Sequence, residues 1–210
     1  MNWDLKKALK LYVVLDRKLG APRSLEEQAG EAIEGGATMI QLRDKELGGR
    51  ELYEAALNLS ALCRRAGAVF IVNDRLDIAL ASGADGVHLG AEDLPVRAAR
   101  SLVPGGFIIG ASAHSVEEAR VAEAEGAHYA GIGAVFPTGT KGSAVVIGLG
   151  GLREIRSALS IPAVAIGGIS EDNAEDVMAA GADGIAVASA VVAREDIAGA
   201  AARLAQKLKI

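Results

Sequence analysis

The sequence contains few of the residues that mark several common protein classes. A single cysteine, Cys63, excludes an internal disulfide and a cysteine-rich metal site. Aromatic residues are scarce, with three Phe, three Tyr and one Trp among 210 residues, so a core must be built from aliphatic and small side chains. Basic residues do not dominate, because the formal net charge is -5. This charge argues against nucleic acid or an anionic membrane as a partner.

Long apolar runs are also missing. No stretch approaches the roughly 20 apolar residues of a membrane-spanning helix, and the first ten residues, MNWDLKKALK, lack the pattern of a signal peptide. Hydrophobic residues nevertheless make up 50% of the chain and charged residues 23%, a balance typical of a folded rather than a disordered protein. These observations predict a soluble, cytoplasmic protein.

Short apolar runs of β-forming residues recur along the chain. Their starts are separated by about 25 residues on average, which suits one strand, one helix and two loops per unit. The predicted strands are 11–15, 38–42, 69–72, 86–89, 107–109, 128–133, 163–166 and 184–188. Most are continuously apolar, as expected for parallel strands that are buried on both faces.

Segments with helical periodicity separate the strands. The clearest are 24–34, 50–66, 116–125, 152–159 and 174–180. Ser24, Ser115 and Ser170 stand at predicted helix starts, and glycines such as those of GADGV at 83–87 and GADGI at 181–185 stand at predicted helix ends. Eight strand and helix units favour a closed (β/α)8 TIM barrel over an open sheet, and we expect one domain over residues 1–210.

In such a barrel the loops after the strands converge on one mouth, where chemistry is expected. Unusual polar or glycine-rich segments follow seven of the eight predicted strands. They are residues 41–45, 73–75, 88–93, 112–114, 138–141, 167–168 and 189.

Two acids and three basic residues belong to these segments. Asp74 and Asp93 follow adjacent strands, and Arg43, Lys45 and Lys141 bring positive charge to the same mouth. This mixture suits a polyphosphate bound with a hard divalent ion, because Mg²⁺ prefers one or two carboxylates together with phosphate oxygens and water. The alternative is that each acid caps a helix. Two acids beside three cations favour the ion site.

Small residues follow the last two predicted strands, in IGGIS at 166–170 and ASA at 188–190. Loops at these positions of the fold often bind a phosphate through backbone N–H groups. A tight turn without a ligand is the alternative for a Gly-Gly pair, but the position favours a phosphate site.

The histidines leave two interpretations open. His88 and His114 each could act as a base or as a structural hydrogen-bond donor near the mouth. His128 opens a strand at the opposite end of the barrel, and Cys63 lies inside a predicted helix, so both are interpreted as structural.

Five motifs together resemble the thiamine phosphate synthase family over about residues 11 to 190. They are QLRDK at 41–45, IVNDRLDIALASGADGVHLGAEDL at 71–94, GASAHSVEEA at 110–119, GIGAVFPTGTK at 131–141 and AIGGI at 165–169. The resemblance implies a Mg²⁺-dependent transferase that joins the diphosphate of 4-amino-2-methyl-5-hydroxymethylpyrimidine to a thiazole phosphate, giving thiamine phosphate and diphosphate.

The resemblance also implies a role for each matching position. Asp74 and Asp93 would bind one Mg²⁺, and catalysis would rest on Arg43, Lys45, Ser112 and Lys141. The pyrimidine diphosphate would contact Gln41, Leu42, Arg43, Asp44, Lys45, Asn73, Ser112 and Lys141. The thiazole phosphate would contact Thr138, Gly139, Thr140, Gly168, Ala188 and Ser189.

Two other functions compete with this one. A thiazole tautomerase on the same barrel would bind a thiazole phosphate and could use His114 for proton transfer, but it would not need the two acids with residues 138–141. A non-catalytic phosphate-binding barrel is opposed by the number of converging charges, which are costly to hold together without a ligand. The oligomeric state is left open.

Overall fold

The chain forms a closed barrel of eight parallel strands in the order β1 to β8, with β8 pairing back to β1, as predicted. This computed structural model describes residues 4–139 and 145–210. The strands are β1 (Leu11–Leu15), β2 (Met39–Leu42), β3 (Val69–Asn73), β4 (Gly86–Leu89), β5 (Ile108–Ala113), β6 (Tyr129–Ile132), β7 (Ala163–Ile166) and β8 (Gly184–Val187).

Helices connect the strands and surround the barrel. They are α1 (Leu5–Ala8), α2 (Leu25–Glu34), α3 (Gly49–Ala66), α4 (Leu76–Ala81), α5 (Val96–Leu102), α6 (Val116–Ala124), α7 (Gly148–Ser157), α8 (Ala174–Ala179) and α9 (Ile197–Leu208). The five predicted helices correspond to α2, α3, α6, α7 and α8. The sequence analysis gave no bounds for α1, α4, α5 and α9, three of which have only four to seven residues and therefore show little periodicity.

The strand predictions are confirmed, with one notable difference in length. β5 was expected at 107–109 but extends through Ala113. Its second half has the sequence GASA, which carries few β-forming side chains, yet Ser112 pairs with Gly131 of β6 in the parallel ladder. Sheet closure thus overrides local propensity here.

Helix ends follow the predicted chemistry in most cases. Ser24 and Glu27 form a reciprocal capping box at the start of α2, and the Ser115 hydroxyl accepts from the Glu118 N–H. At α8 the roles are reversed, because Asn173 is the cap residue and its side chain accepts from the Ser170 N–H. Gly67 ends α3 with a φ of 73°, a left-handed conformation that glycine adopts without steric cost.

Two apolar clusters divide the core between the outside and the inside of the barrel. The larger one packs the outward faces of the strands against the helices. The smaller one fills the barrel interior at the amino-terminal end of the strands, and α1 and Leu9 close that end. Its members are Leu5, Ala8, Leu9, Tyr12, Met39, Val69, Ile71, Ile108, Tyr129, Val164 and Ala186.

Inward-facing residues change from apolar to polar along the strand direction. Side chains alternate between the two faces of a strand, so β2 presents Met39, then Gln41, to the interior. β5 likewise presents Ile108, then Gly110, then Ser112. The carboxyl ends of the strands therefore supply the polar groups of the mouth, while the amino ends supply the apolar interior.

The membrane prediction can be checked on the same described ranges. None of the helices within residues 4–139 and 145–210 has both the length and the apolar character needed to span a bilayer.

Candidate active site

The two predicted metal-binding acids meet at the mouth, beyond β3 and β4. Asp74 follows the last residue of β3 and adopts a φ of 62°, a left-handed conformation that is uncommon outside glycine. Its backbone N–H donates to the carbonyl oxygen of His88 at 2.8 Å. The Asp93 carboxylate accepts from the Gly90 N–H at 2.7 Å, which holds the loop after β4 in place. Backbone contacts thus position both acids.

The carboxyl groups of Asp74 and Asp93 lie close enough to interact with each other. Desolvation by burial, together with the neighbouring carboxyl group of Asp93, raises the pKa of Asp74 to about 6. Two carboxylates this close repel each other when both are ionised. Binding of a proton or a cation would relieve this repulsion.

Neither acid caps a helix, which was the competing interpretation. α4 begins at Leu76 with Arg75 as its cap residue, and α5 begins at Val96 with Pro95 as its cap residue. Neither cap position makes a side-chain hydrogen bond to its helix. The carboxylates are therefore not committed to helix ends.

Basic side chains from the loop after β2 face acids at the mouth. The Lys45 ammonium nitrogen lies 3.8 Å from a carboxylate oxygen of Asp74, and the Lys45 side chain is 63% exposed. The Arg43 guanidinium lies 4.0 Å from a carboxylate oxygen of Asp16, the residue after β1. Asp16 was not among the predicted site residues. Its position directly after a strand is the signal that could have found it.

Two neighbours in the same motif are engaged elsewhere. Leu42 is buried in the outer apolar cluster, so its side chain faces the helices rather than the mouth. The Asp44 carboxylate accepts from Arg17 Nε at 3.0 Å and from the N–H groups of Glu46 and Leu47. Leu42 could therefore meet a ligand only through its backbone, and Asp44 shapes the loop that carries Lys45.

A chain of hydrogen bonds crosses the barrel interior just below the mouth. Gln41 Nε2 donates to the Tyr12 hydroxyl, which lies 3.0 Å from the Tyr129 hydroxyl. The Tyr129 hydroxyl lies 3.0 Å from His88 Nδ1, and His88 Nε2 lies 3.0 Å from the Ser112 hydroxyl. We call these five residues the central hydrogen-bond chain. It joins two predicted site residues, Gln41 and Ser112, through two tyrosines that the sequence analysis did not single out.

The remaining histidines have separate surroundings. His114 Nδ1 lies 3.1 Å from a carboxylate oxygen of Glu118, one helical turn further along at the start of α6. His128 Nδ1 accepts from the Ile109 N–H at 3.0 Å, at the amino-terminal end of the strands.

Two of the loops that carry predicted thiazole phosphate residues, those after β6 and β7, contact each other. The Phe136 N–H donates to the carbonyl oxygen of Gly167 at 3.0 Å. Gly168 has a φ of 64°, and a Cβ there would lie 2.5 Å from the carbonyl oxygen of Pro137. This close approach packs the loop after β7 against the segment that leads to Thr138 and Gly139.

Three further predicted site residues lie at the carboxyl-terminal ends of strands. Asn73 is the last residue of β3 and is in register with His88 of β4. Ala188 and Ser189 directly follow β8, at the same end of the barrel. Thr140 and Lys141 lie outside the described residues.

Comparisons with known proteins show the family of this chain. A family model described as thiamine monophosphate synthase matches residues 11–191. The chain belongs to this family. A thiamine-phosphate synthase of Coprothermobacter proteolyticus is 57% identical over 96% of this chain and 95% of its own length. One of Moorella thermoacetica is 55% identical, over 97% and 94% of the two chains.

Solved structures give the same result. The thiamine phosphate pyrophosphorylase of Pyrococcus furiosus superposes with a TM-score of 0.91 at 49% identity and covers 98% of both chains. A 3-hexulose-6-phosphate synthase superposes at a TM-score of 0.70 but only 20% identity, so it shares the fold. Membership of the thiamine monophosphate synthase family indicates an enzyme of the transferase class.

Proposed function

We propose that the protein couples the diphosphate of 4-amino-2-methyl-5-hydroxymethylpyrimidine to a thiazole phosphate, releasing diphosphate and thiamine phosphate. The observation that carries this proposal is the pair of neighbouring carboxyl groups, Asp74 and Asp93, beside Lys45. Acids and bases together at one mouth suit a ligand that carries both negative charge and a divalent cation. The close similarity to proteins named thiamine-phosphate synthase supports the same reaction.

The donor set fits Mg²⁺. Asp74 and Asp93 would hold the ion, since Mg²⁺ is commonly bound by one or two carboxylates and takes its other ligands from substrate phosphates and water. The raised pKa of Asp74 is the physical sign of this fit, because a cation would relieve the repulsion between the two carboxylates. When bound, Mg²⁺ would neutralise part of the charge on the diphosphate leaving group.

The chain's own residues have two tasks in this reaction. Arg43 and Lys45, with Lys141, would bind the diphosphate and stabilise its charge as the bond between carbon and oxygen breaks. Ser112 would donate a hydrogen bond to the same group. The bonding electrons leave with the diphosphate, and the pyrimidine amino group stabilises the methylene cation that remains.

The thiazole then adds without help from a protein base. Its ring nitrogen contributes the electron pair of the new bond to carbon, so no proton has to move in this step. Thr138, Gly139, Thr140, Gly168, Ala188 and Ser189 would bind the thiazole phosphate and orient the nitrogen.

An assay of the coupling reaction tests this proposal. Purified protein with both substrates and Mg²⁺ should produce thiamine phosphate and diphosphate, and chelation of divalent ions should stop the reaction. Isomerisation of a thiazole phosphate without coupling would instead identify a tautomerase. The contact between His114 and Glu118 is the observation that favours this second function. A carboxylate beside an imidazole is a common arrangement in a general base.

A further inference from the structure

The central hydrogen-bond chain has a direction set by the atoms at its first contact. The Gln41 atom that faces Tyr12 is Nε2, which can only donate. Of the two groups that these bonds place against the Tyr12 hydroxyl, only the Tyr129 oxygen can accept its single proton, so Tyr12 donates to Tyr129. Tyr129 in turn donates to Nδ1 of His88. Burial raises the pKa of both tyrosines, so both protons are present at neutral pH.

This direction determines the protonation of His88. A neutral imidazole that accepts at Nδ1 carries its proton at Nε2. His88 Nε2 therefore donates to the Ser112 oxygen, 3.0 Å away. The Ser112 hydroxyl proton is then directed to an acceptor beyond these five residues. Ser112 follows Gly110 along the inward face of β5, on the mouth side, where an anionic ligand would bind.

The barrel makes room for this chain at two glycines. A Cβ on Gly110 would lie 2.1 Å from the ring of Tyr129, and a Cβ on Gly131 would lie 2.9 Å from the ring of His88. Any larger residue at these two positions would displace the rings. The Tyr12 and Tyr129 rings also pack edge to face, with centroids 6.1 Å apart, so packing as well as hydrogen bonding aligns their hydroxyls.

A polar chain across an apolar interior is costly unless every member is satisfied. Phenylalanine at positions 12 and 129 would supply most of the same apolar packing without that requirement. The hydroxyls contribute instead a connection between Gln41 and Ser112, two residues of the proposed substrate site.

We propose that Tyr12 and Tyr129 are positioning residues that hold neutral His88 in its Nε2–H tautomer and thereby make the Ser112 hydroxyl a hydrogen-bond donor to the substrate diphosphate. This inference rests on the proposed function for the identity of the acceptor. The tautomer itself is a property of the protein without substrate.

The first experiment measures the tautomer directly. In the full-length protein labelled with ¹⁵N-histidine at about pH 8, above the usual histidine pKa, His88 should show an unprotonated Nδ1 and a protonated Nε2. The chain has three histidines, and His88→Gln assigns the signal. Tyr129→Phe should replace this signal with one averaged between the two tautomers. The matched control is Tyr53→Phe on α3, outside the barrel interior, which should leave the His88 signal unchanged.

The second experiment links the tautomer to catalysis through a double-mutant cycle. Tyr129→Phe should lower kcat about tenfold, the cost of one misdirected hydrogen bond to a charged group. It should leave the KM for thiazole phosphate unchanged. In a Ser112→Ala background the same substitution should have little further effect, because Tyr129 acts through the Ser112 hydroxyl.

Three results would overturn the proposal. They are a wild-type His88 protonated at Nδ1, a tautomer unaffected by Tyr129→Phe, and multiplicative losses in the double mutant. If Tyr129→Phe does not fold, Tyr12→Phe removes the donor to Tyr129 and should produce the same tautomer averaging. A wild-type protein that makes no thiamine phosphate would refute the proposed function alone, since the NMR measurement needs no substrate.

Discussion

The two ends of the barrel interior are built from opposite kinds of residue. At the amino-terminal end, Leu9, Met39, Val69 and Ile108 form a closed apolar cluster beneath which α1 lies. At the mouth, by contrast, burial and the neighbouring carboxyl group of Asp93 raise the folded-state pKa of Asp74. Burying an aliphatic side chain stabilises the fold by about 1.5–3 kcal/mol, whereas two adjacent carboxylates destabilise it. Stability and reactivity are thus separated along the strand axis, with the central hydrogen-bond chain at the boundary.

The largest effect is expected from a substitution at the closed end. A Cβ on Gly184, the first residue of β8, would lie 1.8 Å from the carbonyl oxygen of Leu9, which is backbone and cannot rotate away. Gly184→Ala should therefore lower the free energy of unfolding by about 3 kcal/mol, measured by urea denaturation.

Gly30→Ala is the matched control for this prediction. Position 30 lies within α2 and has nothing within 4 Å of the added Cβ, so alanine should raise stability by up to about 1 kcal/mol. Equal behaviour of the two variants would show that the contact between β8 and the segment after α1 does not support the closed end.

At the mouth we expect the reverse, a loss of activity without a loss of stability. Asp74→Asn removes one carboxylate of the proposed metal site but keeps a side chain that tolerates the left-handed φ of 62°. Coupling activity should fall roughly 100-fold or more, and circular dichroism and urea denaturation should show an intact fold. Asp77→Asn, three residues further on and paired with Arg75, serves as the control. Near-normal Mg²⁺-dependent turnover in Asp74→Asn would contradict the metal assignment.

A smaller effect should appear in the pH dependence of stability. The folded-state pKa of Asp74, about 6, lies above its usual 3.8, so the folded protein binds this proton more tightly than the unfolded chain. The stabilising contribution of the protonated form is present below about pH 4 and is lost as the pH rises through about 6. Removing the Asp93 charge by Asp93→Asn should lower the pKa of Asp74.

Without divalent ions, Asp93→Asn should then raise the free energy of unfolding by about 1 kcal/mol at pH 8 and have little effect at pH 4. Asp77→Asn is again the control, and we expect the opposite sign for its change in the free energy of unfolding at pH 8. The hydrogen bond from Arg75 lowers the pKa of Asp77, so its removal should not stabilise the protein at pH 8. A destabilised Asp93→Asn variant at pH 8 would show that the two carboxyl groups do not repel each other in the folded state.

The barrel could be predicted from the sequence because its signal is repeated eight times. Apolar runs, helix caps and glycine stops recur in each unit, so an error in one unit, such as the short prediction for β5, does not change the fold class. Local ambiguity remained at α4 and α5, where six or seven residues do not establish a helical period.

The site could be predicted less completely, because its residues are related by contacts and not by spacing. Position after a strand was sufficient to select Asp74 and Asp93. The strands were interpreted as continuous apolar runs, however, and this interpretation did not distinguish Tyr12 and Tyr129 from their apolar neighbours. Their hydroxyls meet across 117 positions of sequence. The raised pKa of Asp74 likewise depends on burial and on the approach of Asp93, which appear only in the folded chain.

The smallest effect is expected at His114, and it separates coupling from isomerisation. His114 contacts Glu118 at the start of α6, outside the central hydrogen-bond chain, and the proposed coupling requires no proton transfer from it. His114→Ala should therefore keep the coupling rate within about threefold of wild type, a change below 1 kcal/mol in transition-state stabilisation. Ser112→Ala, two residues earlier on the inward face of β5, should lose far more. A tautomerase that used His114 as its base would lose about 100-fold or more of its isomerisation rate in His114→Ala. Assaying the two substitutions side by side therefore distinguishes a site that binds a diphosphate from one that transfers a proton.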